Sequence, residues 1–148
     1  MEANFNTIDF LDFSSKYISG KSTERSVSVS RRKCTKFNQY RVSFSRDITA
    51  AVRERKYTKM QVGVNTFTGE VFIVFHAENV ETALDLYFDK NDNGCITRIR
   101  INNAKLVDFF ATRASITGDF YQQWRLSENL SNSDKYLTYK LLDPIRDK

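Results

Sequence analysis

Hydrophobic and polar positions alternate over several short stretches of this chain. In "YRVSFS" (40–45), Tyr40, Val42 and Phe44 share one face, and Arg41, Ser43 and Ser45 share the other. A period of two is that of a strand with one buried side. The period then changes in "RDITAAVRERK". Ile48, Ala51 and Val52 line one helical face, while Arg46 and Arg53, seven residues apart, line the opposite one. Ser45 is placed to cap the helix expected over 47–56. "KMQVGVN" (59–65) and "EVFIVF" (70–75) predict two strands joined by Thr66-Phe67-Thr68-Gly69. The second is apolar on both faces and belongs in the middle of a sheet.

The second half repeats this order. Residues 83–89 predict an extra strand, and "CITRIRI" (95–101) alternates again. "NNAKLVDFFATRA" (102–114) predicts a helix over 103–114, capped by Asn102 or Asn103 and buried through Leu106, Phe109 and Phe110. "FYQQWRL" (120–126) and "KYLTYKLL" (135–142) supply a closing strand pair. Strand–helix–strand–strand thus occurs twice, and "YRVSFSRDITAAV" aligns without gaps on "TRIRINNAKLVDF". This reads as a degenerate internal duplication covering about 40–75 and 95–142. The fold class expected is α+β, mainly antiparallel sheet with two short helices.

Upstream, residues 4–17 mix Phe5, Ile8, Leu11 and Tyr17 with polar residues at a spacing that suits a short amphipathic helix. Seven serines and one glycine between Ser14 and Ser30 read as a flexible connector, whose end "SVSVS" alternates like an edge strand. The organisation expected is an N-terminal arm and connector over 1–30 and a single domain over 31–148.

The stretch "DKNDNGCI" (89–96) places Asp89, Asn91, Asn93, Gly94 and Ile96 as a calcium-binding EF-hand loop does. The twelfth position of such a loop requires a bidentate glutamate, and here it is Arg100. The residues that follow have strand period where a helix should begin. A hairpin accounts for the same residues, with Asn93-Gly94 supplying positive φ. The register expected sets Leu86 opposite Ile99, Leu84 opposite Ile101, Asp85 opposite Arg100 and Tyr87 opposite Arg98. No metal site follows from this loop.

The run "YRVSFSRDITAAVRERKYTKMQVGVNTFTGEVFIVF" resembles the swapped-hairpin DNA-binding units of the AbrB/MraZ class, in which a strand, a short corner, a helix and a strand pair follow one another. Proteins similar to MraZ carry two such units in tandem. The resemblance covers about residues 40–75 and, more faintly, 95–142, and rests on element order. It implies a tandem antiparallel fold and DNA binding. The family's Gly-Arg-hydrophobic stretch ending in proline is replaced here by Phe44-Ser45-Arg46-Asp47, so no site residue carries over.

Charge narrows the function. Residues 1–58 hold 12 Lys/Arg against 6 Asp/Glu, and residues 59–148 hold 11 against 12. The excess is concentrated in 21–56, with 11 against 3. A local basic field is what a polyanion meets. Within it, "SRRKCTKFNQYR" (30–41) interleaves Arg31, Arg32, Lys33, Lys36 and Arg41 with the aromatic residues Phe37 and Tyr40. Cations neutralise phosphates, and aromatic faces stack unpaired bases. Arg46 and Arg53 extend the surface from the first helix.

Catalytic patterns are not legible. His76 is the only histidine, the five glycines are scattered, and no phosphate-binding loop is present. Cys34 and Cys95 are too isolated for a zinc or disulfide pattern, which suits a reducing, cytoplasmic setting. The N-terminal stretch does not read as a signal peptide, and no apolar run suits a membrane span. The function expected is non-catalytic nucleic-acid binding through the basic N-terminal segment, without a cofactor. The alternative is a structural or assembly protein, of a phage or mobile element, that oligomerises or docks on a protein partner through Phe5, Ile8 and Leu11.

Overall fold

The computed structural model describes residues 25–145. The proposed N-terminal arm, with Phe5, Ile8 and Leu11, lies outside the described residues. The elements are β1 (Ser26–Lys33), β2 (Asn38–Phe44), α1 (Arg46–Glu54), β3 (Lys59–Val64), β4 (Val71–His76), β5 (Leu84–Asp85), β6 (Tyr87–Lys90), β7 (Ile96–Ile101), α2 (Ala104–Arg113), β8 (Phe120–Leu126) and β9 (Leu137–Ile145). The α+β class and the antiparallel character are as the sequence predicts.

The strands of the described residues form one sheet in the order β5-β3-β4-β9-β8-β1-β2-β7-β6. Every pairing is antiparallel. The two edge strands, β5 and β6, are separated in the chain only by Leu86. Covalent continuity therefore brings the two ends of the sheet together, and the sheet curls into a nearly closed barrel. The Leu86 N–H donates to Thr58 O at 3.0 Å, which extends the β3–β5 pairing by one residue. Closing a sheet removes long exposed edges.

Alternation decides what fills the barrel. Val27 and Val29 of β1, Val42 and Phe44 of β2, Ile73 and Phe75 of β4 and Ile99 of β7 are all buried. Aromatic rings interlock among them. Phe44 meets Phe75 edge-on at 5.1 Å between centroids, and Phe110 of α2 lies 5.4 Å from Trp124 of β8. Such contacts add specificity to the area buried. Strand β4 lies between β3 and β9, as its two apolar faces predict.

The helices start for different reasons. Asn103 caps α2 by accepting from the Leu106 N–H at 2.9 Å, as the sequence predicts, and Leu106, Val107, Phe110 and Ala111 are buried. Phe109, expected beside them, is only partly buried. Ser45 precedes α1, but its side chain makes no capping bond to the helix. Its hydroxyl instead donates to Asp47 Oδ1 at 2.6 Å and accepts from the Ser26 N–H at 3.1 Å, tying the helix start to β1. Thr49 is buried on the inner face of α1. It donates to Ser45 O and accepts from the Ile99 N–H, both at 3.0 Å. The β2–β7 ladder spans only Val42–Ile101 and Ser43–Arg100, so beyond its end a side chain takes up a β7 amide.

Two expectations are corrected here. Strand β1 is internal, paired with β8 on one side and β2 on the other, and not an edge strand. Its serines are short enough for neighbouring side chains to cover, so Ser26 and Ser28 are buried. The hairpin exists, but its register is displaced by two residues. Tyr87 faces Arg100, Phe88 faces Ile99 and Asp89 faces Arg98. A shift of two preserves which face each residue takes, so the pattern of apolar and charged positions cannot distinguish the two registers. Asp85 instead pairs with Lys59 of β3. The turn is tight. Asn91 Oδ1 accepts from the N–H groups of Asn93 and Cys95 at 2.9 and 3.0 Å, and Gly94 has φ +79°.

Thr49 provides a test of this architecture. Thr49→Val keeps the shape and leaves the Ile99 N–H without its acceptor, so it should cost about 1–3 kcal/mol. Thr49→Ser should recover most of that in chemical denaturation. An unchanged midpoint for Thr49→Val would contradict the bridging role.

Candidate nucleic-acid interface

The outer face of β8, β1, β2 and β7 is where the alternation places the polar residues of these strands. Cross-strand pairing sets Tyr121, Ser30 and Arg41 in one row, and Gln123, Ser28, Ser43 and Arg100 in the next. Arg32 stands opposite Gln39. The centre of this face carries serines, and the surrounding positions carry arginine, glutamine and tyrosine. Short side chains between long ones make a recess of about 550 Å³, whose lining includes Ser28, Ser30, Ser43, Arg32, Arg41, Arg98 and Tyr121. The "SVSVS" stretch thus contributes valines to the core and serines to the floor.

The recess is cationic. Arg32, Arg41 and Arg98 have no ion pair among the described residues. The Arg41 Nε is buried and lacks a hydrogen-bond partner among the described residues. Asp119 also borders the recess, and its Oδ1 accepts from the Lys33 N–H at 3.0 Å. Tyr121 is 62% exposed, and its hydroxyl lies 3.4 Å from Ser28 Oγ. That contact holds the phenol beside the serine floor.

No family model, curated protein or solved structure matches this chain.

The residues expected from the sequence divide into four groups. Arg32 and Arg41 line the recess. Arg31 also borders it, but its Nη1 is 2.8 Å from Asp108 Oδ1, its Nε donates to Gly118 O at 2.9 Å, and its guanidinium lies 5.4 Å from the Phe120 ring centre. These ties join β1 to α2 and commit the side chain to the fold. Lys33, Lys36 and Phe37 are exposed near the tip of the β1–β2 hairpin. There the Cys34 N–H donates to Phe37 O at 3.0 Å. Arg46 and Arg53 line a separate groove of about 240 Å³ between α1 and the β6–β7 turn.

Arg98 and Tyr121 are the site residues that sequence reasoning missed. The alternation already put Arg98 on an open face, but the expected hairpin register gave it Tyr87 as a neighbour. In the structure Asp89 is cross-strand from Arg98, yet its carboxylate pairs with Arg100. Oδ1 lies 2.8 Å from the Arg100 Nε, at an angle too bent for a hydrogen bond. Arg98 is left for the recess. Tyr121 reaches the site through the β1–β8 pairing, a contact between distant parts of the chain that no local pattern announces.

His76 takes no part. It is buried, with Nε2 2.6 Å from Gln61 Oε1 and Nδ1 accepting from the Glu78 N–H at 2.9 Å. No described helix is long and apolar enough to cross a membrane.

The contrast between Arg31 and its neighbours is measurable. Arg31→Ala should lower stability by about 1 kcal/mol, because it removes a partly exposed ion pair and an aromatic contact. Asp108→Ala should produce part of the same loss, with a non-additive double mutant. Full additivity in thermal or chemical unfolding would show that the pair is not coupled.

Proposed function

We propose that this protein binds nucleic acid, without catalysis, through the recess on the outer face of β8, β1, β2 and β7. The observation that carries this reading is the convergence of Arg32, Arg41 and Arg98, none with an ion-pair partner among the described residues, around a floor of serines. Three cations without an ion pair, against the single carboxylate of Asp119, leave the concavity net positive and favour a polyanion over an isolated carboxylate ligand. The serine hydroxyls and the Gln39 amide add donors that suit phosphate and sugar oxygens. The basic N-terminal segment contributes Arg32 and Arg41 to the recess, and Lys33 and Lys36 to its flank.

The duplication read from the sequence belongs to the same proposal. β2–α1–β3–β4 and β7–α2–β8–β9 share one element order. Two of the three pairs of strands that would correspond are neighbours, β2 with β7 and β4 with β9, while β3 and β8 are not. On this reading two degenerate units, like the tandem units that the swapped-hairpin resemblance implies, build one barrel. The recess then spans both, taking Arg41 from the first and Arg98 from the second.

Binding should weaken steeply with salt. If Arg32, Arg41 and Arg98 each neutralise one phosphate, the Arg32→Ala/Arg41→Ala/Arg98→Ala variant should flatten the slope of log affinity against log salt by about 2 to 3. Arg46→Ala/Arg53→Ala should change it less. A triple variant that folds and binds nucleic acid with an unchanged slope would remove the recess as the site.

A further inference from the structure

We infer that the preferred ligand is a single strand, with an unpaired base stacked on Tyr121 and the adjoining phosphate held by Arg41 and Arg32. This rests on the reading of the recess as a nucleic-acid site and deepens it by naming the strand state and the place of the base.

Two observations carry the inference independently of net charge. The first is the aromatic ring. Tyr121 is 62% exposed although it belongs to a barrel strand with neighbours on both sides. Its cross-strand pairing with Ser30 sets the side of the recess on which the ring stands, and its hydroxyl lies 3.4 Å from Ser28 Oγ. An oriented, open aromatic face is the element that receives an unpaired base. In a duplex the base faces are already stacked on one another, so the ring would have nothing to receive. The second is the separation of ring and cations. Tyr121 is on β8 and Arg41 on β2, with Ser30 of β1 directly between them. Two strand spacings amount to about 10 Å, a span that base, sugar and phosphate can cross together. Ser30 and Ser43 then lie beneath the sugar, and Arg41, which lines the recess without an ion pair, takes the phosphate oxygens.

The recess is also the wrong form for a duplex. It is a local depression of about 550 Å³ in a sheet face, and the rod of a duplex would present only its backbone to the rim. The two described helices bury their apolar faces in the barrel. Arg46 and Arg53 on α1 border their own, smaller groove and are not part of the stacking site.

The test uses the full chain and fluorescently labelled oligonucleotides at low salt. The probes are a mixed-sequence single strand, the matching duplex, and an abasic strand with the same number of phosphates. The single strand should bind more tightly than either of the others. Tyr121→Ala should weaken single-strand binding about 5- to 150-fold and leave duplex and abasic binding unchanged. Tyr121→Phe should bind the single strand as the parent does. Matching thermal melts for the variants exclude a folding defect. Equal affinity for the single and abasic strands, or a Tyr121→Ala variant with parental single-strand affinity, would overturn the stacking subsite while leaving nucleic-acid binding standing. Failure of all three probes to bind would overturn the nucleic-acid reading itself.

Discussion

Side-chain alternation in β1 is the constraint on which the remainder of the molecule depends. Val27 and Val29 point into the barrel and are fully buried, while Ser28 and Ser30 point the other way into the recess. The strand is held on both sides, by β2 and β8. A slip of one residue would turn the valines out and the serines into the core. It would equally turn Arg32 from the open face. The same phase therefore builds the core and sets out the proposed binding surface, so neither can change register without the other.

This coupling explains why cations can gather on one face. Arg32, Arg41 and Arg98 line one recess and repel one another. Folding must offset that repulsion elsewhere. The interlocked Phe44, Phe75, Phe110 and Trp124 rings supply apolar burial on the opposite side of the sheet. Ionic ties fasten the periphery. Arg31 joins β1 to Asp108 of α2, and Arg100 joins β7 to Asp89 of β6. Arg31 and Arg100, with local carboxylates, serve the fold, and Arg32, Arg41 and Arg98, with no ion pair among the described residues, line the recess. The division follows from cross-strand neighbours and not from the residue type.

Much of the secondary structure was legible because it is local. The periods of two and of 3.6 located most of the strands, both helices and the hairpin after Asp89, and Asn103 was recognisable as a cap, but the single strand expected over 83–89 is split at Leu86 into β5 and β6. What escaped was non-local. "SVSVS" reads as an edge because its serines look like solvent-facing residues, yet β8 and β2 cover them. The register of β6 on β7 was missed by two residues, since that displacement swaps apolar for apolar and open for open. At the candidate site, Arg32 and Arg41 could be chosen from the basic run. The structural commitment of Arg31 depends on Asp108, 77 residues away. The arrival of Arg98 and Tyr121 depends on strands brought in from the second half of the chain.

The central claim is that the outer face of β8, β1, β2 and β7 is the face that meets nucleic acid. Backbone amide chemical shifts followed during titration with a single-stranded oligonucleotide test it most directly. The account predicts that the perturbations map to Ser28, Ser30, Ser43, Arg98 and Tyr121 on those strands. Perturbations confined to α1 and its groove, or an unchanged spectrum at low salt, would contradict it.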